Sequence, residues 1–159
     1  MPLRLRLEDL RDADLSELHA VYDEGTVPDR DDVSGEMRGM VLAGRGIGRT
    51  RLWRRGANLT PWAGIRIDDE GGTNRVGFPP VVFDRYGFEK YVERDEEGGA
   101  LVLDYDIVEN PYALRRLEER LREIEDGLFL GKSYLRVGGR SVFLHYYAVE
   151  PAAVEIPIS

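Results

Sequence analysis

The chain has no cysteine among its 159 residues. That excludes a disulfide scaffold, a thiol nucleophile and any thiolate-held zinc or iron–sulfur centre. Lysine is nearly missing too: Lys90 and Lys132 stand alone against an arginine-dominated basic set. Histidine occurs only as His19 and His145, too far apart in sequence to suggest a metal motif, so no metal and no cofactor is expected. No run of ~18 apolar residues occurs, and the opening MPLRLRLEDLRDADL has no apolar stretch of signal-peptide type. From these absences the sequence reads as a cytoplasmic protein with no membrane partner.

What is present is acid. Thirty Asp and Glu outweigh 22 Lys and Arg, for a net charge of −8. Such a surface repels nucleic acid and anionic membranes, so neither is expected as a partner. Excess carboxylate with little lysine fits a salt-loving organism, and a high-GC genome that favours arginine gives the same bias. The length suits a single domain spanning 1–159, with a core that needs no staples. Oligomeric state is not legible.

The first element reads as a helix. Asp12 or Asp14 can cap it, and Leu15, Leu18, Val21 and Tyr22 form a stripe that ends at Gly25. Beyond Ser34, short apolar stretches alternate with Gly, Asp, Asn and Pro clusters. Strands are expected at about 36–43, 47–55, 62–67, 75–83, 86–93, 100–107, 128–137 and 141–149. Gly138–Gly139 suits a two-residue hairpin turn between the last two. A second helix is expected from Asn110 as N-cap, through Pro111, to Gly127 as stop. Its stripe is Leu114, Leu117, Leu121 and Ile124, and its charged face is read as solvated. The fold class is therefore mainly β: an antiparallel barrel of about eight strands, with an N-terminal helix and one helix before the last two strands.

The segments LVLDYDIVENPYALRRLEERLREIEDGLFLGKSYLR and EGTVPDRDDVSGEMRGMVL, with the PWAG of Pro61–Gly64, resemble a group of prokaryotic proteins of haloarchaeal and actinobacterial type. The resemblance implies a calycin-like barrel, shaped like those of lipocalins and fatty-acid-binding proteins. It implies no catalytic residues.

Two glycine-rich stretches fail as phosphate loops. GLFLGKS has three residues between its glycines where a P-loop has four, and it opens a strand instead of a helix. GRGIG has its third glycine one place early and is followed by RTRLWRR, which has no helical period. That second stretch reads as a turn into an arginine-studded strand. Arg51 and Trp53 there form a candidate contact for an anionic or stacking ligand.

The final hairpin supplies the main candidate site. An unbroken register from the Gly138–Gly139 turn sets Tyr134 opposite Phe143, Lys132 opposite His145 and Leu130 opposite Tyr147. Lys132, Tyr134, His145 and Tyr147 would then share one face, with lysine and histidine depressing each other's pKa. Asp104, in LVLDYDI, would lie nearby. The functional expectation is a small, partly apolar ligand in a barrel lumen, walled by Trp53, Trp62, Phe78, Phe83, Tyr105, Tyr134 and Tyr147. Lys132, His145 and arginine would orient an acidic or carbonyl group. The alternatives are an isomerase, cyclase or hydrolase using His145 or Asp104 with Lys132, and an interaction module that uses an exposed sheet edge.

Overall fold

The structure is a computed structural model, and it describes residues 5–44, 62–78, 81–96 and 98–152. The strand expected at 47–55, with Arg51 and Trp53, lies outside the described residues. Eight antiparallel strands, each paired with the next, close into a barrel when β8 pairs back onto β1. They are β1 (Gly35–Gly44), β2 (Trp62–Ile67), β3 (Gly71–Phe78), β4 (Val81–Glu93), β5 (Ala100–Asp104), β6 (Leu117–Glu125), β7 (Leu128–Val137) and β8 (Arg140–Pro151). The mainly β barrel expected from the alternating segments is what forms. Every strand of the ring has a neighbour on each side, although β4 from Val81 to Phe88 extends past its pairing with β5.

The N-terminal helix α1 (Leu15–Glu24) forms as expected. The Asp14 carboxylate accepts the Glu17 N–H at 2.8 Å as its cap. Leu18 and Tyr22 are buried against the outside of the barrel, in a cluster with Leu7, Leu10, Leu42, Leu128, Leu130, Tyr146 and Ala148. Burying a side chain such as Leu18 contributes roughly 2 kcal/mol. This layer straddles the β8–β1 seam, where the first and last strands meet.

The helix expected over 110–126 is not there. One 3-10 turn (Leu114–Arg116) is followed directly by β6. The sequence LEERLREIE carries two periods at once. Leu117 and Leu121 sit on one helical stripe, yet Leu117, Glu119 and Leu121 also alternate onto one face of a strand. Two features favour the strand. Asp126–Gly127 is a two-residue hairpin signal, and Gly127 has φ +77° with Glu125 opposite Leu128 across the turn. The facing edges of β5 and β7 also need backbone partners, which a helix cannot supply. Asn110 does not cap a helix. Its side chain donates to the Gly87 and Tyr105 carbonyls at 2.7 and 2.8 Å and ties the β5–β6 connection to β4.

The inner face is filled at one end. Val33, Met37, Ile65, Ile67, Phe88, Leu101, Leu103, Leu121, Phe129 and Val149 form a buried floor. Val33 comes from the loop after α1, folded across that end. Lys90, on the inner side of β4, holds the loop there: its ammonium donates to the Arg30 carbonyl at 2.9 Å and the Val33 carbonyl at 3.4 Å.

Candidate functional site

Above the floor the inner wall turns polar. Paired register sets Glu119 of β6 opposite Ser133 of β7, and Ser133 opposite His145 of β8, in one row. Tyr105, just past β5, donates its hydroxyl to Glu119 Oε1 at 2.6 Å. The same hydroxyl accepts from Asn74 Nδ2 at 2.9 Å, and Asn74 Oδ1 accepts from Trp62 Nε1 at 2.9 Å. Trp62, Asn74, Tyr105 and Glu119 therefore form one hydrogen-bonded chain across the lumen.

Tyr147 completes the group. Its ring lies over Gly131, where a Cβ would meet the Tyr147 Cζ at 2.3 Å, so only glycine admits it. Trp62 packs edge-on against it, with centroids 5.8 Å apart. The Tyr147 hydroxyl is buried and close enough to Glu119 to feel its charge, but it makes no hydrogen bond of normal geometry.

Burial pushes the Glu119 carboxyl up to about 7, and the Tyr105, Ser133 and Tyr147 hydroxyls around it pull the other way. Burial, and then the charge of Glu119, raises the phenols of Tyr105 and Tyr147 well above their ordinary range. Burial lowers the His145 pKa, partly offset by its bond to the Tyr146 carbonyl, 3.0 Å from Nδ1. That bond sets the proton on Nδ1 and leaves Nε2 as an acceptor. Trp62, Asn74, Leu117, Glu119 and His145 all keep accessible surface on the inner face, whereas the floor keeps almost none.

The residues named from the final hairpin are split between two faces. The register runs as expected from Val137 opposite Arg140 to Tyr134 opposite Phe143. It then slips at a β-bulge, with Ser133 opposite His145 and Lys132 opposite Tyr146. Leu144 is the extra residue. His145 and Tyr147 therefore face the lumen, while Lys132 and Tyr134 face outward beneath α1. The Lys132 ammonium sits 4.4 Å from the Tyr22 ring centroid. The histidine beside it is His19, whose pKa is lowered by burial first and then by Lys132. Tyr134 stacks edge-on against Phe143 and, with Tyr22, Arg120, Arg122 and Lys132, lines an outer groove of about 460 Å³.

Asp104 is also on the outer wall, paired with Arg136 at 2.7 Å, so it cannot act with His145. Trp62, Tyr105 and Tyr147 face inward as expected of lumen aromatics. Phe78 and Phe83 do not: they lie on the β3–β4 hairpin, 63% and 62% exposed. Glu119 was hidden in a charge run read as a helix face. The signal that reveals it is the strand-phase pattern Leu117-x-Glu119-x-Leu121, closed by Asp126–Gly127. Among the described residues no His/Asp/Glu group has metal-site geometry, and no helix is long and apolar enough to cross a membrane.

No family model and no curated protein matches the sequence. A crystal structure of a protein from Thermomonospora curvata is similar in fold, with a TM-score of 0.66 at 14% identity, covering 92% of this chain and 93% of that one. At this identity the likeness speaks to architecture alone.

Proposed function

We propose that the protein is a calycin-like binding barrel that takes a small, partly apolar ligand into its lumen. The observation that carries this is the convergence of the Tyr105, Ser133 and Tyr147 hydroxyls on Glu119 inside the barrel, beside the half-buried Trp62 and His145. Aromatic walls with a few convergent polar groups are the usual make-up of small-molecule sites. The outer wall supports a barrel bathed in water: Arg38–Glu150, Arg66–Glu36, Arg120–Glu93 and Arg136–Asp104 pair where a lipid-facing barrel carries an apolar band. The acidic, lysine-poor composition fits a cytoplasmic setting, and a salt-rich one.

The test is titration with the neutral apolar fluorophore N-phenyl-1-naphthylamine. Saturable enhancement at one site, lost in a folded Ser133→Phe variant and kept in Lys132→Glu, supports lumenal binding. No enhancement with folded wild-type protein, or loss in the Lys132 variant alone, overturns it.

A second reading, acid–base catalysis on the same barrel, is favoured by Glu119 alone, since a carboxyl near 7 suits proton transfer at neutral pH. It replaces the pairing of His145 or Asp104 with Lys132, which the fold separates. Turnover of a bound ligand that is lost in Glu119→Gln while binding persists separates it from simple binding.

A further inference from the structure

Resting on the lumenal reading, we infer that the ligand is an organic cation: a compact aromatic or aliphatic body bearing a basic nitrogen that meets Glu119. The reasoning starts from what surrounds the carboxyl. Tyr105 donates to it at 2.6 Å, Ser133 bonds to it from the next strand, and the Tyr147 hydroxyl stands close by. Hydroxyl donors converging on a carboxyl solvate its ionised form. A carboxylate offers about four acceptor positions, so capacity remains for a further donor.

The missing element is a counter-charge. Among the described residues no arginine or lysine pairs with Glu119, although the outer wall pairs its carboxylates repeatedly. Lys90, on the same inner side, is held at the floor by two backbone carbonyls. A ligand ammonium would supply the charge that the described wall does not. An acidic ligand would bring a second negative charge into the same low-dielectric space, and one of the two would have to take up a proton.

The walls agree with this. The half-buried Trp62 lies edge-to-face against the buried Tyr147 ring, and Phe88 and Tyr105 pack at 5.4 Å beside it, so the surroundings of the carboxyl are aromatic. Aromatic faces with an adjacent anion attract ammonium groups, and they accept the apolar body equally. The expectation of an acid-binding lumen came from Lys132 and arginine. With Lys132 outside the barrel, the described lumen has the opposite polarity.

The experiment compares two probes of one shape, 2-naphthylmethylamine and 2-naphthoate, by calorimetry at pH 8. The amine is expected to bind at least tenfold more tightly. Its affinity should fall as pH drops from 8 to 5.5, because Glu119 takes up a proton. Glu119→Gln should weaken the amine at least tenfold and leave naphthoate equal or tighter. The wild-type pH profile stands on its own if the variant fails to fold. Naphthoate binding as tightly as the amine, or amine binding that ignores both pH and Glu119→Gln, overturns the cation inference and leaves lumenal binding intact. If neither probe binds, both readings fall.

Discussion

Tyr105 and Glu119 meet inside the barrel, hydroxyl to carboxyl at 2.6 Å, and among the described residues no arginine or lysine pairs with either. The pair is the polar centre of the lumen, and it makes stability respond to pH. Glu119 has a folded pKa of about 7 against an unfolded value near 4.5. The folded state therefore holds its proton over a range where the unfolded state has lost it. Its contribution is complete below about pH 4.5 and disappears as pH rises through 7. Urea unfolding at pH 5 and pH 8 should show wild type losing stability on going to pH 8, relative to Glu119→Gln. The difference should be at most on the order of 3 kcal/mol, reduced by water in the lumen. Equal pH dependence in the two proteins would show that Glu119 titrates normally.

Gly131 and Tyr147 are locked together sterically. Gly131→Ala places a Cβ 2.3 Å from the ring, which must shift. A loss of roughly 1–3 kcal/mol is expected from such overpacking. In a Tyr147→Leu background the clash is relieved, so a double-mutant cycle by thermal melting should return a coupling of similar size. Additive effects would refute the contact.

Arg122 anchors α1 to the wall. It is 7% exposed, donates to the Gly99 carbonyl at 2.8 Å and the Tyr22 carbonyl at 3.1 Å, and lies over the Tyr22 ring. Arg122→Met should cost about 2–4 kcal/mol, because buried carbonyls lose their donors. Arg122→Lys should recover only part of this, since an ammonium cannot span both carbonyls as the planar fork does. Denaturant midpoints for the three proteins provide the check.

Lys90 holds the floor loop. Lys90→Met keeps the stem and removes the ammonium, so the backbone around Arg30 and Val33 should open more often. Hydrogen exchange should speed up by tenfold or more across residues 30–34, with little change in β7 and β8. Unchanged exchange in that loop would mean that Val33 burial alone holds it.

The barrel was legible in outline because its strands alternate, but the strands expected at 75–83 and 86–93 are Gly71–Phe78 and Val81–Glu93, with Gly71, Gly72 and Gly87 inside strands instead of turns. The capping of α1 by Asp14 and the pairing of Tyr134 with Phe143 follow directly from local chemistry. Two things were not legible, each for a physical reason. LEERLREIE satisfies both helical and strand periods, and the choice between them lies in the neighbouring edges of β5 and β7, which no local pattern contains. The Leu144 bulge inserts one residue into an otherwise alternating strand and turns His145 away from Lys132. A bulge of this kind leaves no mark in SVFLHYY, because Phe, Leu, His and Tyr are accepted on either face. Together these two features put Glu119 on the inner face and Lys132 on the outer one.

The β1–β8 seam joins Met37 to Pro151, so the contact that closes the ring links positions separated by most of the chain. Every other pairing in the ring joins neighbouring strands in sequence order. Loop-closure entropy makes the seam the slowest pairing to find, and hairpins such as β6–β7 and β7–β8 can form long before it. Until it forms, β1 and β8 are two unsatisfied edges. The layer that covers them, α1 with Leu7 and Leu10, precedes every strand of the ring in the chain, so a latch is waiting when the last strand arrives.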